Sequence, residues 1–165
     1  MRATANPSSC DKRPTLDDRV GLSLIDLVVS VLIMGIFSAV AVPKFTTALC
    51  RTRAESAARR IAADLRFARN NAIASSASSR IDFSSTQGSH TLVGQKSIDR
   101  PTADYQVSVT DLYQSTLSQV DFGGDASLVF DMHGQPDSAG SIAVSCGGVT
   151  KTIVLNSATG SATIL

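Results

Sequence analysis

Residues 21 to 45 read Gly-Leu-Ser-Leu-Ile-Asp-Leu-Val-Val-Ser-Val-Leu-Ile-Met-Gly-Ile-Phe-Ser-Ala-Val-Ala-Val-Pro-Lys-Phe, joining a polar leader to an apolar run that carries a single acid. From Leu22 to Val42 the run has 21 residues. At about 1.5 Å rise per residue, a helix of that length crosses the roughly 30 Å hydrocarbon layer of a bilayer. Asp26 is the anomaly within it. A carboxylate at a bilayer centre costs roughly 2.5 to 3.5 kcal/mol, but near a helix start the cost falls and the helix dipole favours an anion. An acid inside a membrane calls for a named cationic partner. A free amino terminus made by cutting after Gly21 would supply one on a neighbouring copy; the alternative is a tolerated interfacial acid.

These residues resemble a known family. Gly21 followed by Leu-Ser-Leu-Ile-Asp is similar to the class III signal of type IV pilins and pseudopilins, in which a prepilin peptidase cuts after glycine and methylates the new first residue. The resemblance places the cut between Gly21 and Leu22, the methyl group on Leu22, and the assembly acid at Asp26, the fifth mature position. It sets Gly35 at the fourteenth and Pro43 at the twenty-second. Leu22 stands where the family usually has Phe, and Asp26 where it prefers Glu.

Ala39-Val40-Ala41 also reads as a small-residue signal-peptidase site, which would give a secreted protein starting at Val42. Against it, the apolar run is longer than the usual core of about 7 to 15 residues, and the leader before it contains acids. Charges near the run do not fix its orientation. Lys12, Arg13 and Arg19 lie on one side, while Lys44, Arg51, Arg53, Arg59 and Arg60 lie on the other, so positive-inside counting favours the opposite end. A leader inside and a C-terminal domain in the periplasm, anchored in the bacterial inner membrane, is what the pilin resemblance implies.

Four segments follow: a leader at 1–21, a transmembrane and assembly helix at 22–43, an amphipathic helix at 44–75, and a β-rich domain at 79–165. The 144 residues after Gly21 leave room for one domain beyond the membrane stretch. Ala54, Ala57, Ala58, Ile61, Ala62, Leu65, Ala68, Ala72 and Ile73 recur at three- and four-residue steps, the mark of an amphipathic face. Pro43 lacks an N–H and predicts a kink, and Gly35 weakens the helix before it. The serine run at 75–79 ends the helix. Beyond it, short β-branched segments bounded by Gly, Asp, Asn and Ser predict strands at 80–84, 91–94, 105–110, 127–130, 141–145, 150–155 and 162–165, with an exposed loop over 94–104. Gly147-Gly148 predicts a hairpin. With no Trp, the core is expected to rest on aliphatic residues plus Phe67, Phe83, Phe122 and Phe130. The fold class is α+β: a long N-terminal helix packed on a C-terminal antiparallel β domain, pilin-like.

The run Leu-Val-Phe-Asp-Met-His-Gly at 128–134 and the strands after it resemble the globular part of the FimT and type II secretion minor pseudopilin H group. Phe130, Asp131 and Gly134 match the family's Phe-Asp-x-x-Gly. On the residues alone, Phe130 is core and Gly134 makes a turn.

Net charge conceals a division. From Lys44 to Arg80 there are eight basic residues against Glu55 and Asp64, and from Ile81 onward three against eight acids. Such a dipolar subunit suits packing against like subunits, or presenting its basic stretch to anionic lipid or nucleic acid; a plain solvated face is the simpler reading. Cys10 would leave with the leader, so only Cys50 and Cys146 remain. They either bridge, closing a loop of about 95 residues for roughly 4 to 5 kcal/mol on the chain-entropy model, or stay as two buried thiols.

No catalytic constellation, phosphate-binding loop or metal-spacing pattern is present, so the chain reads as a non-enzyme without cofactor. Asp131, His133 and Asp137 are the one cluster with metal-ligand chemistry, and three polar residues around a turn are more often solvated. Some FimT-like minor pilins bind DNA through a C-terminal Gly-Arg-x-Arg; the matching residues here are Gly160-Ser161-Ala162-Thr163, without the cations that would neutralise phosphates. DNA binding is therefore disfavoured. The resemblance implies a structural subunit of a type IV pilus or type II secretion pseudopilus, with the prepilin peptidase, other pilin subunits and an inner-membrane assembly platform as partners. The alternatives are a DNA-binding minor pilin for DNA uptake and a monomeric, signal-anchored periplasmic binding domain.

Overall fold

The computed structural model describes residues 23–98 and 100–165. The cleavage pair Gly21 and Leu22 lies outside them. Helix α1 spans Leu24–Ser75, and strands β1 Ser79–Ser84, β2 Ser89–Lys96 and β3 Asp104–Ser108 follow. After a short helix α2, Val109–Tyr113, come β4 Thr116–Asp121, β5 Ser127–Phe130, β6 Gly140–Cys146, β7 Val149–Leu155 and β8 Ala162–Ile164. The chain divides into two compact units, with the boundary between Ala39 and Val40. In the first, residues 23–39, every described side chain is exposed.

The second unit holds one hydrophobic core. Ala54, Ala57, Ala58, Ile61, Ala62, Leu65, Ala68 and Ala72 of α1 are buried, as the 3.6-residue period requires. Alanines dominate this stripe, so the strands approach the helix closely and their larger side chains fill the layer between. Two four-stranded antiparallel sheets supply those side chains, one in the order β3-β2-β1-β5, the other β4-β6-β7-β8. Ile81 of β1 sits between Leu92 of β2 and Leu128 of β5, and all three are fully buried. In the other sheet Ile153 of β7 lies between Ile142 of β6 and Ile164 of β8. Gly147 and Gly148 both take positive φ, at 52° and 85°, and make the two-residue turn between β6 and β7.

Five expectations from the sequence are corrected. Phe67 is 52% exposed rather than core, because it falls two residues past Leu65 and off the buried stripe; Phe83, Phe122 and Phe130 are buried. Ile73 is also partly exposed, at the margin of that stripe. The segment read as a strand over 105–110 leaves the sheet after Ser108, whose side chain accepts from the Asp111 N–H and caps α2. Strand β4 was not expected; only Leu117 along it is fully buried, so it lacks a clear alternating pattern. The exposed loop begins after Lys96, since β2 continues past Gly94 through a bulge against β3.

Candidate functional site

The functional surface begins on α1. Among the described residues, every large apolar side chain from Leu24 to Phe45 is exposed, including Leu24, Met34 and Phe37 at more than 70%. A window of α1 reaches mean hydropathy 2.5, long and apolar enough to cross a membrane. Its hydroxyls are turned back onto the helix: Ser30 donates to the Leu27 carbonyl and Ser38 to that of Met34, both at 2.8 Å. Both hydroxyls are thereby satisfied within the helix, as a hydrocarbon environment would require. Asp26 occupies the first turn, where the N-terminal dipole favours an anion, and its side chain is exposed. Gly35 and Pro43 both lie inside the helix, and Pro43's carbonyl accepts from the Thr46 and Thr47 hydroxyls at 2.9 and 3.0 Å.

Beyond this stretch α1 is locked to the β domain at several points. Cys50 pairs with Cys146 at the end of β6, the Cα atoms 5.1 Å apart. Gly147 fits beside that pair because a Cβ there would stand 2.7 Å from the Cys50 sulfur. Farther along, Arg66 donates to the Ala162 carbonyl at 3.3 Å and Arg69 Nε to that of Gly134 at 3.1 Å.

The motif residues Phe130, Asp131 and Gly134 converge on this last contact. Phe130 is fully buried. Asp131 Oδ1 accepts from the backbone N–H of His133 at 2.9 Å and of Gln135 at 2.7 Å, folding the turn that follows β5. Gly134 takes φ 76°, and a Cβ on it would meet Ile73 Cδ1 at 2.7 Å and Arg69 Cγ at 3.1 Å. Gly160, at φ 62°, comes close to the Gly134 carbonyl and Arg69 Nε. The motif therefore does more than turn the chain: it brings two glycine turns against one arginine of the helix.

A polar cluster that sequence reasoning missed sits between α1 and the first sheet. Asp64 Oδ2 lies 2.8 Å from His90 Nε2 and 3.2 Å from Arg60 Nε. Tyr105 donates to Asp64 Oδ1 at 3.5 Å and also meets the Arg60 guanidinium. His90 is 1% exposed and Asp64 is buried. Asp64 stands three residues after Ile61 and four before Ala68, so a lone acid in the apolar stripe was the available signal; its partner 26 residues away was not.

Asp131 and Asp137 do not form a metal site with His133. Asp137 Oδ1 accepts from the Val129 N–H while Asp131 is engaged by its own turn, and among the described residues no group of three metal-ligating side chains assembles.

The sequence model of the family described as Type II transport protein GspH matches residues 57–159. The chain belongs to the GspH family. The match covers the buried half of α1, the Asp64–His90 cluster, the Phe130-Asp131-Gly134 turn and the approach to β8. Two crystal structures of the type IV minor pilin FimU from Pseudomonas aeruginosa strain PAO1 share the fold. In space group P21, FimU superposes with TM-score 0.54 at 16% identity, covering 70% of this chain and 90% of that one. In space group P65 the values are 0.50, 16%, 67% and 91%. No curated protein matches the chain by sequence. This GspH-family chain is thus a pilin-like minor pseudopilin, with one long apolar helix that fits a single-pass membrane anchor.

Proposed function

We propose that this chain is made as an inner-membrane precursor, cut after Gly21 by a prepilin peptidase, methylated at Leu22 and inserted through α1 into a type II secretion pseudopilus. The observation that carries the reading is the continuity of one helix whose first part exposes every described apolar side chain and whose second part buries an alanine-rich stripe in its own domain. Such an exposed surface needs lipid or other subunits to cover it. The helix is in lipid before assembly and among the helices of neighbouring pseudopilin subunits after it. Leader inside and β domain in the periplasm is the orientation the pathway requires, and the inner-membrane platform is where transfer occurs. The subunit works by packing and not by catalysis.

Asp26 gives register. Paired with the amino terminus of an adjacent subunit, it is satisfied in one axial position, whereas a slip leaves a charge unpaired in an apolar bundle. The membership in a family of type II transport proteins favours the secretion pseudopilus over a type IV pilus.

The test is the intact mass and amino-terminal sequence of the membrane form, expressed with and without prepilin peptidase. A peptidase-dependent start at methylated Leu22 is expected. An intact Met1, or a start at Val42, would remove the pathway and leave a tethered or secreted domain.

A further inference from the structure

Immediately beyond the apolar run, α1 carries two cations that the assembly reading does not use. Lys44 and Arg51 are exposed and stand about two turns apart, so they share a helix face. With Pro43, Thr47 and Ala48 they line one shallow groove. Among the described residues, Arg59, Arg60, Arg66 and Arg69 each have a carboxylate or carbonyl partner, while Lys44, Arg51 and Arg53 stand in no ion pair; of these three only Lys44 and Arg51 line this groove, Arg53 lying against Leu112 and Tyr113 of α2.

Their depth relative to the apolar run matters. Lys44 lies about 3 Å beyond Val42 along the helix and Arg51 about 13 Å. Side chains on a helix lean toward its N-terminus, and a long arginine extends its charged head along that direction. The Arg51 guanidinium is therefore brought back toward Lys44 and toward the headgroup layer, which is roughly 5 to 8 Å thick on each side of the hydrocarbon. Phe45, 66% exposed, and Leu49 lie at the same depth on another face of the helix as interfacial apolar side chains. The cation excess on this flank, which orientation counting leaves unexplained, then has an occupant of matching charge.

We propose that Lys44 and Arg51 form a headgroup site for anionic phospholipid, its phosphate held between the ammonium and the guanidinium, that retains the unassembled subunit at the bilayer surface. This rests on the membrane-anchored reading of α1. Lys and Arg close to an anionic surface each contribute about fivefold to binding, so the site adds a measurable lipid preference.

The full chain is reconstituted into phosphatidylcholine vesicles containing trace spin-labelled phosphatidylglycerol or spin-labelled phosphatidylcholine, and the motionally restricted fraction is read by electron spin resonance. The wild type is expected to restrict phosphatidylglycerol several-fold more strongly than phosphatidylcholine. Lys44→Gln with Arg51→Gln should lower that preference severalfold, each cation contributing up to about fivefold. Arg59→Gln, whose guanidinium is held by Glu55, should keep the preference. Equal restriction of both lipids by the wild type, or an undiminished preference in the double variant, overturns the site while leaving the anchor intact. Failure of the wild-type chain to float with the vesicles overturns the anchor and the site together.

Discussion

Arg69 on α1 donates from Nε to the carbonyl of Gly134, 65 residues away, and Gly160 closes over the same contact from the turn before β8. One helix residue thus fixes turns that lead out of β5 and into β8. Gly134→Ala should destabilise the domain by about 3 kcal/mol, combining a left-handed backbone that alanine resists with a methyl group driven into Ile73 and Arg69. Gly148→Ala, at a similar φ but with no atom within 4 Å of the added carbon, should cost only about 1 kcal/mol. Denaturant unfolding of the two variants separates steric crowding from backbone strain; equal losses would remove the packing role of Gly134.

Asp64 and His90 stabilise the helix against the first sheet as a pair. Asp64→Ala should cost about 3 kcal/mol or more, because it strands His90 and Arg60 without their shared acceptor. Adding His90→Leu to that variant should recover part of the loss, since no buried polar ring is then left unpaired. A double-mutant cycle measured by thermal unfolding reads this coupling, and strict additivity would show that the pair is incidental.

The Asp104 carboxyl is held below its ordinary value of 3.8, first by the hydrogen bond from Lys96, then by the Gly94 backbone N–H, with burial opposing. Its contribution to stability is therefore present above pH 3.8 and is lost as pH falls through the lowered value. Lys96→Met should raise the midpoint toward 3.8 without fully restoring it, because the Gly94 contact survives. A carbon-detected NMR titration of Asp104 follows this, and an unchanged midpoint would rule out Lys96 as the principal cause.

Bridging of Cys50 and Cys146 should leave neither thiol open to alkylation without prior reduction, as read by mass. Cys146→Ser should cost about 2 to 5 kcal/mol, the range for removing a native bridge. Full alkylation of unreduced protein would discount the bridge.

Asp26→Ala should leave membrane insertion intact and sharply reduce incorporation into filaments, measured by fractionating sheared pseudopili from membranes. Normal incorporation would remove the register role of the acid.

Much of this architecture is legible in the sequence where a repeating pattern exists. The alanine stripe of α1 repeats often enough to show which face is buried, and Gly147-Gly148 announces a turn that few other residues accept. Strand β4 has no such redundancy, since a register shift falls between the buried Leu117 and the half-buried Val120 and breaks the alternation. Val109 and Thr110 are β-branched and suggest strand, yet Ser108 and Asp111 are spaced as a helix cap, and that local hydrogen bond prevails. The Phe130-Asp131-Gly134 resemblance marks the right turn but not its partner. Which helix residue meets Gly134, and which histidine meets Asp64, depend on contacts between distant segments, and no periodicity along the chain encodes them.

The Cys50–Cys146 link has a mechanical consequence. Tension entering α1 from its N-terminal end reaches Cys50 before any other covalent tie to the β domain, and there it divides. One path continues along the helix toward β1, and the other passes into β6, an interior strand clamped between β4 and β7. A filament pushed or pulled through this subunit would load the second sheet through β6 as well as the first through β1, and the helix could not be peeled from the domain while that second path held.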